Sequence, residues 1–213
     1  LTLTSAAAET SPVGKYDVTG TASNTNYDVT IEGADKLTVT PKPVTVTAEN
    51  KTSRVGYDLV YLTYTCTPAL IGDDAFTGAL TTDANKDVVK DYTITQGTLA
   101  LNGNYAITFN KGTYTVTSKL TQDDFAFAED ALTRTYGDPD FSAAATGAAE
   151  GSTVTYTSEN EAVATVDGTG KVTIHAAGTA VIKATASETK DYAEKKISCT
   201  LKVDPKPVTA DMI

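Results

Sequence analysis

One phrase recurs along this chain and limits what it can fold into. Residues 37–48 read Leu-Thr-Val-Thr-Pro-Lys-Pro-Val-Thr-Val-Thr-Ala, and residues 201–212 read Leu-Lys-Val-Asp-Pro-Lys-Pro-Val-Thr-Ala-Asp-Met. A looser copy opens at Tyr114 with Tyr-Thr-Val-Thr-Ser-Lys. Each copy follows an Asn-Tyr or Asp-Tyr pair: Asn26-Tyr27, Asn104-Tyr105 and Asp191-Tyr192. These three tyrosines stand 78 and 87 residues apart. Self-similarity at such spacing means a tandem array of units. It overrides the one-or-two-domain prior that a length of 213 residues gives. Units of this size bury a modest core without a metal or a disulfide.

The copies align strand by strand. Tyr16-Asp17-Val18-Thr19 matches Tyr92-Thr93-Ile94-Thr95, Asn26–Ile31 matches Asn104–Phe109, and Leu37–Thr40 matches Tyr114–Thr117. Each stretch alternates apolar and hydroxylated residues, the period-two signature of a strand with one buried face. Further strands are predicted at Val44–Ala48, Leu59–Cys66, Val154–Ser158, Ala162–Val166, Lys171–Ile174, Ala180–Thr185 and Ile197–Val203. Gly33, Gly112 and Asp167-Gly168-Thr169-Gly170 mark turns. Pro41-Lys42-Pro43 and Pro205-Lys206-Pro207 read as short, stiff linkers, because each proline fixes its own φ and restricts its predecessor.

The expected fold is all-β, an elongated tandem array of small β-domains. Residues 1–43 read as the C-terminal half of one repeat and residues 44–118 as a complete one. Residues 119–206 read as a sandwich of short strands, and residues 207–213 as the first strand of a following repeat. For the first two units, a sandwich and a β-grasp-like sheet with one short helix both fit the pattern.

Forty residues are Thr, Trp is absent, and Met and His occur once each. Thr and Val favour half-buried pleated surfaces. Such a composition fits an extracellular stalk better than a metabolic enzyme. The formal net charge of -10 opposes nucleic acid and anionic lipid as partners. Cys66 and Cys199 lie 133 residues apart in different units, so two buried free thiols are expected rather than a bridge. No apolar run is long enough to span a membrane.

At this point the residues carry a resemblance. Ser158-Glu159-Asn160 through Ala164-Thr165-Val166-Asp167, followed by Gly170–Ile174 and Ala177-Gly178-Thr179-Ala180, resembles a bacterial group 2 immunoglobulin-like domain over roughly residues 120–204. Residues 1–118 resemble the MBG repeats of bacterial surface proteins, through Ser11–Tyr16, Asn26–Thr30, Thr95–Leu99 and Asn104-Tyr105. Such repeats carry a Tyr-Gly pair after their first strand. The middle unit instead has Gly56-Tyr57, and Tyr136-Gly137-Asp138-Pro139 appears in the third. That third unit reads as a hybrid, an MBG-like opening that feeds an immunoglobulin-like body. The resemblance implies a large, modular protein, secreted or displayed on the bacterial surface, in which these units are spacers or adhesive modules without catalytic residues or cofactors.

The candidate chemistry is thin. His175 stands alone, without the ligand cluster a metal site needs or the partners of a nucleophilic triad. Asp123-Asp124, Asp138, Asp140 and Asp167 invite a calcium reading, with the 118–124 joint as the place for one. None sits in a full oxygen-ligand loop, and Asp also favours turns by bonding its own backbone. No Lys–Asn pair stands out for a cross-link. Tyr61, Tyr64 and Tyr156 are candidates for a sugar-stacking platform, whereas Tyr16, Tyr27, Tyr92 and Tyr105 recur at repeat positions and suit the core. The expected role is a non-catalytic spacer, with adhesion to a host glycan or protein as the alternative. A strand-addition contact between chains, through residues 207–213, is also expected.

Overall fold

Alternating apolar and hydroxylated residues build this chain, because successive strand side chains point to opposite faces. The computed structural model describes residues 1–23, 26 and 36–208. Among them, every regular element is a strand and none is a helix. The chain divides between Thr117 and Ser118 into two units.

The first unit opens with β1 (Thr2–Ser5), β2 (Gly14–Tyr16), β3 (Val18–Thr21) and β4 (Leu37–Val39). They form two antiparallel ribbons, β1 with β3 and β2 with β4. None of the described residues from Leu1 to Pro41 is buried. Seven strands follow: β5 (Lys42–Ala48), β6 (Lys51–Arg54), β7 (Tyr64–Thr67), β8 (Thr81–Thr82), β9 (Lys90–Thr95), β10 (Tyr105–Asn110) and β11 (Gly112–Thr117). Their sheets run β10-β5-β7 and β6-β11-β9-β8. In β5, Val44, Val46 and Ala48 are buried while Thr45 and Thr47 face outward. Ala48 packs with Ile94, Tyr114 and Val116 of the other sheet. Two sheets thus share one core, and the β-grasp-like alternative with a short helix is not what forms.

Three local expectations are corrected here. Lys42 and Pro43 belong to β5 rather than to a linker, and the Lys42 amide donates to the Asn104 carbonyl at 2.9 Å. Proline is tolerated at a strand's start, where a missing N–H costs little. Of residues 59–66, only Tyr64–Cys66 joins a ladder. The four apolar residues Leu59–Leu62 lack alternation, and no single face of them can be buried by a sheet. Gly112 is the buried first residue of β11, where a Cβ would meet the Ala48 carbonyl oxygen at 3.0 Å. Close packing, not a turn, requires glycine there. Gly33 and the strand expected around Asp28–Ile31 lie outside the described residues.

The second unit contains β12 (Ala131–Thr135), β13 (Phe141–Ser142), β14 (Val154–Ser158), β15 (Ala164–Val166), β16 (Lys171–Ile174), β17 (Gly178–Ala186) and β18 (Lys195–Asp204). Its sheets, β12-β18-β17-β14 and β13-β16-β15, form a β-sandwich. Ile182, Leu201 and Val172 are fully buried between them, with Phe125 contributed by the segment that precedes β12. The strand expected from Ala162 starts at Ala164, since the Val163 and Ala164 amides both donate to the Asn160 carbonyl and close a helical turn.

The two units share one local device. Arg54 pairs with Thr117, the Val55 amide donates to the Thr117 carbonyl, and Gly56 follows at φ 82°. Thr135 likewise pairs with Asp204, the Tyr136 amide donates to the Asp204 carbonyl, and Gly137 follows at φ 93°. Glycine supplies this left-handed conformation without a Cβ clash. Val55-Gly56, rather than Gly56-Tyr57, is therefore the counterpart of Tyr136-Gly137.

Candidate functional site

Two features of the fold bear on function: how the terminal strands of each unit pair, and where aromatic side chains reach solvent. In the first unit, β6 and the final strand β11 run parallel, and so do β5 and β10. In the second, β12 and the final strand β18 run parallel over five residue pairs, Ala131–Thr200 to Thr135–Asp204. In the second unit these are the first and last strands, so their parallel pairing sends the chain in at one end of that unit and out at the other. A pull along the chain loads the bonds of such a ladder together, in shear.

The aromatic site is built on Tyr114. Its ring is fully buried, and its hydroxyl accepts the Val60 amide at 2.8 Å. The Glu49 amide donates to the Thr63 carbonyl at 2.9 Å. Between these anchors Leu62 turns toward the core, and Tyr61 is left 85% exposed. Leu59 and Val60 are exposed beside it. Together with Tyr64 and residues 78–82 they line an open groove of about 370 Å³. The Tyr64 ring meets Phe76 edge-on, with centroids 5.1 Å apart. Burial raises the Tyr64 phenol above its ordinary range, and the neighbouring Tyr61 adds to the shift. Thr81 and Thr82 carry the groove into a second concavity of about 460 Å³, lined by Asp83, Lys90, Asp91 and Tyr92. An exposed ring beside hydroxyl and carboxylate groups has the chemistry of sugar contact.

The remaining sequence candidates have structural duties. Tyr156 is half-buried and its hydroxyl accepts the Ala145 amide at 2.9 Å. Tyr105 is buried and donates to Asp74 at 2.7 Å while it accepts the Ile71 amide at 2.9 Å. Asn102 holds the other Asp74 oxygen at 2.6 Å, and Asn104 accepts the Val13 amide at 2.9 Å. Tyr105 of the recurrent pair and the nearby Asn102 thus clasp loop 71–74, while Asn104 holds the segment at Val13. Tyr16 and Tyr92 are half-buried, and Tyr27 lies outside the described residues.

His175 is exposed at a strand end, with Nε2 2.9 Å from the Thr165 hydroxyl. Asp167 accepts the Thr169 hydroxyl and the Thr169 and Lys171 amides, an Asx turn that holds its carboxyl below the usual range. Asp138 accepts the Thr135 amide at 2.8 Å, and Asp140 pairs with Lys171 at 2.8 Å. Both cysteines are free thiols; Cys199 is buried, but Cys66 is only half-buried at the edge strand β7.

Sequence reasoning missed Gln122. It is 3% exposed, and its Nε2 donates to the Ser187 and Ala193 carbonyls at 3.1 and 2.8 Å. Its Oε1 accepts the Ala149 amide at 2.9 Å and the Ser152 hydroxyl at 3.2 Å. One side chain thus ties three loops. No local pattern announces such a residue, because its partners lie far along the chain.

Comparison with known proteins follows these features. Residues 44–115 match the MBG domain (YGX type), and residues 140–197 match the bacterial Ig-like domain (group 2). Tyr136-Gly137 falls outside both matches. No curated protein matches the chain. Among solved structures, Drosophila N-cadherin EC1-4 is 12% identical over 82% of this chain and 53% of its own, with a TM-score of 0.33. Chicken VE-cadherin EC1-2 is 11% identical over 74% of this chain and 98% of its own, at 0.30. A SusE-like surface located polysaccharide binding protein from Bacteroides thetaiotaomicron is 18% identical over 75% of this chain and 33% of its own, at 0.32. The chain carries an MBG domain of the YGX type followed by a group 2 bacterial Ig-like domain, domain types of bacterial surface proteins.

Proposed function

We propose that this chain is a non-catalytic spacer segment of a bacterial cell-surface or secreted protein, and that its work is mechanical. The observation that carries this reading is the parallel pairing of the last strand of each unit with an earlier strand: β18 with β12, the first strand of the second unit, and β11 with β6 in the first. Chain ends at opposite poles let units string one after another, and shear loading makes each unit resist extension. In this reading residues 1–43 are the C-terminal half of an MBG repeat, 44–118 a whole one, 119–206 the immunoglobulin-like unit, and 207–213 the first strand of the next repeat.

Single-molecule extension of the whole chain tests it. Two resolvable unfolding events are expected. Arg134→Pro in β12 is expected to lower the force of one event, because proline withdraws a ladder donor. Arg134→Ala, which loses only the side chain over Phe141, is expected to leave that force nearly unchanged. Equal forces for the proline and alanine variants would defeat the reading.

A second reading, adhesion to a host glycan or protein, is favoured by one observation: Tyr61 stands 85% exposed in a groove flanked by Leu59 and Tyr64. Leaving large apolar groups in contact with water forgoes the stability that burial would give, and a binding surface is one reason to retain them. Glycan-array binding that disappears in Tyr61→Ala, with the thermal melt unchanged, is the expected outcome. Binding untouched by that substitution would place adhesion elsewhere.

A further inference from the structure

The ribbons β1–β3 and β2–β4 repeat, pair for pair, the sheet that β8, β9 and β11 form. Thr4 pairs with Thr19 as Thr81 pairs with Thr95. Gly14, Lys15 and Tyr16 pair with Val39, Thr38 and Leu37 as Lys90, Asp91 and Tyr92 pair with Val116, Thr115 and Tyr114. The register is the same, so each apolar residue of one copy has a counterpart in the other. Their fates differ. Tyr114, Val116 and Ile94 are fully buried, whereas Leu37 is 45% exposed and Val39 and Val18 are only half-buried. Leu3 is 60% exposed, but its counterpart Leu80 packs against the core.

What covers the complete copy is known. β6 runs parallel along β11, with Lys51 to Arg54 opposite Tyr114 to Thr117, and Ala48 at the end of β5 and Val55 just after β6 pack on the buried face. Among the described residues, β4 pairs only with β2 and has no such neighbour. From this difference we infer that β4 and the apolar face around Leu37 are an acceptor surface for a β5–β6-type strand pair of an MBG repeat. The incoming strand lies parallel to β4, with Lys-Thr-Ser-Arg opposite residues 37–40, and its flanking Ala and Val cover Leu37 and Val39. Main-chain bonds give the affinity and the alternate side chains give the register. The occupant differs from the tail contact expected through residues 207–213, which aligns with β5 alone and whose residues 209–213 lie outside the described residues.

The test uses the full 213-residue chain and a copy of the sequence Lys42–Val55, joined ahead of Leu1 by a flexible linker or added as a synthetic peptide. Amide hydrogen exchange at Leu37–Val39 is the readout. Joined in cis, the copy is expected to slow exchange there at least tenfold. The same fusion with Ser53→Pro in the added copy is expected to show no slowing, since the Ser53 amide lies on the ladder side with the Val55 amide, which bonds Thr117 in the complete copy. Leu37→Asp is expected to abolish the slowing while β9 and β11 keep their protection. In trans, protection at millimolar peptide supports the same surface. An unprotected β4 in the fusion overturns the inference. Protection of β4 that rises with the concentration of the unmodified chain also overturns it, because in a second copy β5 and β6 are already engaged in their own sheets and another strand would be the occupant.

Discussion

At the scale of single residues, the side chains that matter most are polar ones that join distant backbone. Gln122 is satisfied on both ends of its carboxamide. Replacing it with Leu leaves buried carbonyls and an amide without partners, each of which costs about 1–3 kcal/mol. Gln122→Leu is expected to destabilise the second unit by about 2–4 kcal/mol, read from chemical denaturation. Two carboxyls give that unit an acid dependence. Hydrogen bonds from the Thr169 side chain and backbone hold Asp167 low, and its bond from Lys171 does the same for Asp140. Both have folded values below their unfolded ones, so their contribution is complete above about pH 4 and fades as pH falls through the folded values. The denaturant midpoint of the second unit is expected to drop as pH falls below about 4. Asp140→Asn with Asp167→Asn should flatten that drop, and an unchanged slope would assign it to other groups.

At the scale of elements, the strands follow from alternation but their partners do not. The sequence of β5 declares a strand with Val44, Val46 and Ala48 on one face. It does not declare that Pro43 lies opposite Ala106 in a parallel pair. Parallel partners are far apart in sequence, and nothing local encodes their register. The same holds for the turn after β6 and β12. Glycine is recognisable there, but only the bonds to Thr117 and Asp204 reveal that Val55 stands where Tyr136 does. The response to force also belongs at this scale. If β12 and β18 bear load in shear, one withdrawn donor should weaken the ladder more than the lost Arg134 side chain, and the extension experiment on Arg134→Pro reads that difference directly.

At the scale of the whole molecule, each unit holds a core of its own residues. Ala48, Ile94, Tyr114 and Val116 serve the first, and Ile182, Leu201, Val172 and Phe125 serve the second. Ile182→Ala removes a fully buried side chain and is expected to cost about 2–5 kcal/mol. Amide exchange should then accelerate in residues 118–208 while residues 42–117 keep their protection. A loss shared by both would mean that they unfold as one.

The sequence by itself determined that this chain is all-β and repetitive, because period-two alternation and recurring phrases are local signals, and its motifs resemble MBG and immunoglobulin-like parts. It also marked Tyr61 and Tyr64 as aromatic candidates, and the Asn-Tyr pair as part of the repeat. Only the tertiary structure decided which tyrosine reaches solvent. Tyr61 stands between Val60 and Leu62 and Tyr114 between Thr113 and Thr115, yet it is Tyr114 that is buried, and its hydroxyl anchors Val60 while Tyr61 is left outward. Tertiary structure likewise decided that Gln122 is a tie and that β11 and β18 run parallel to β6 and β12. Each of these depends on contacts between residues tens of positions apart, which no window of sequence contains.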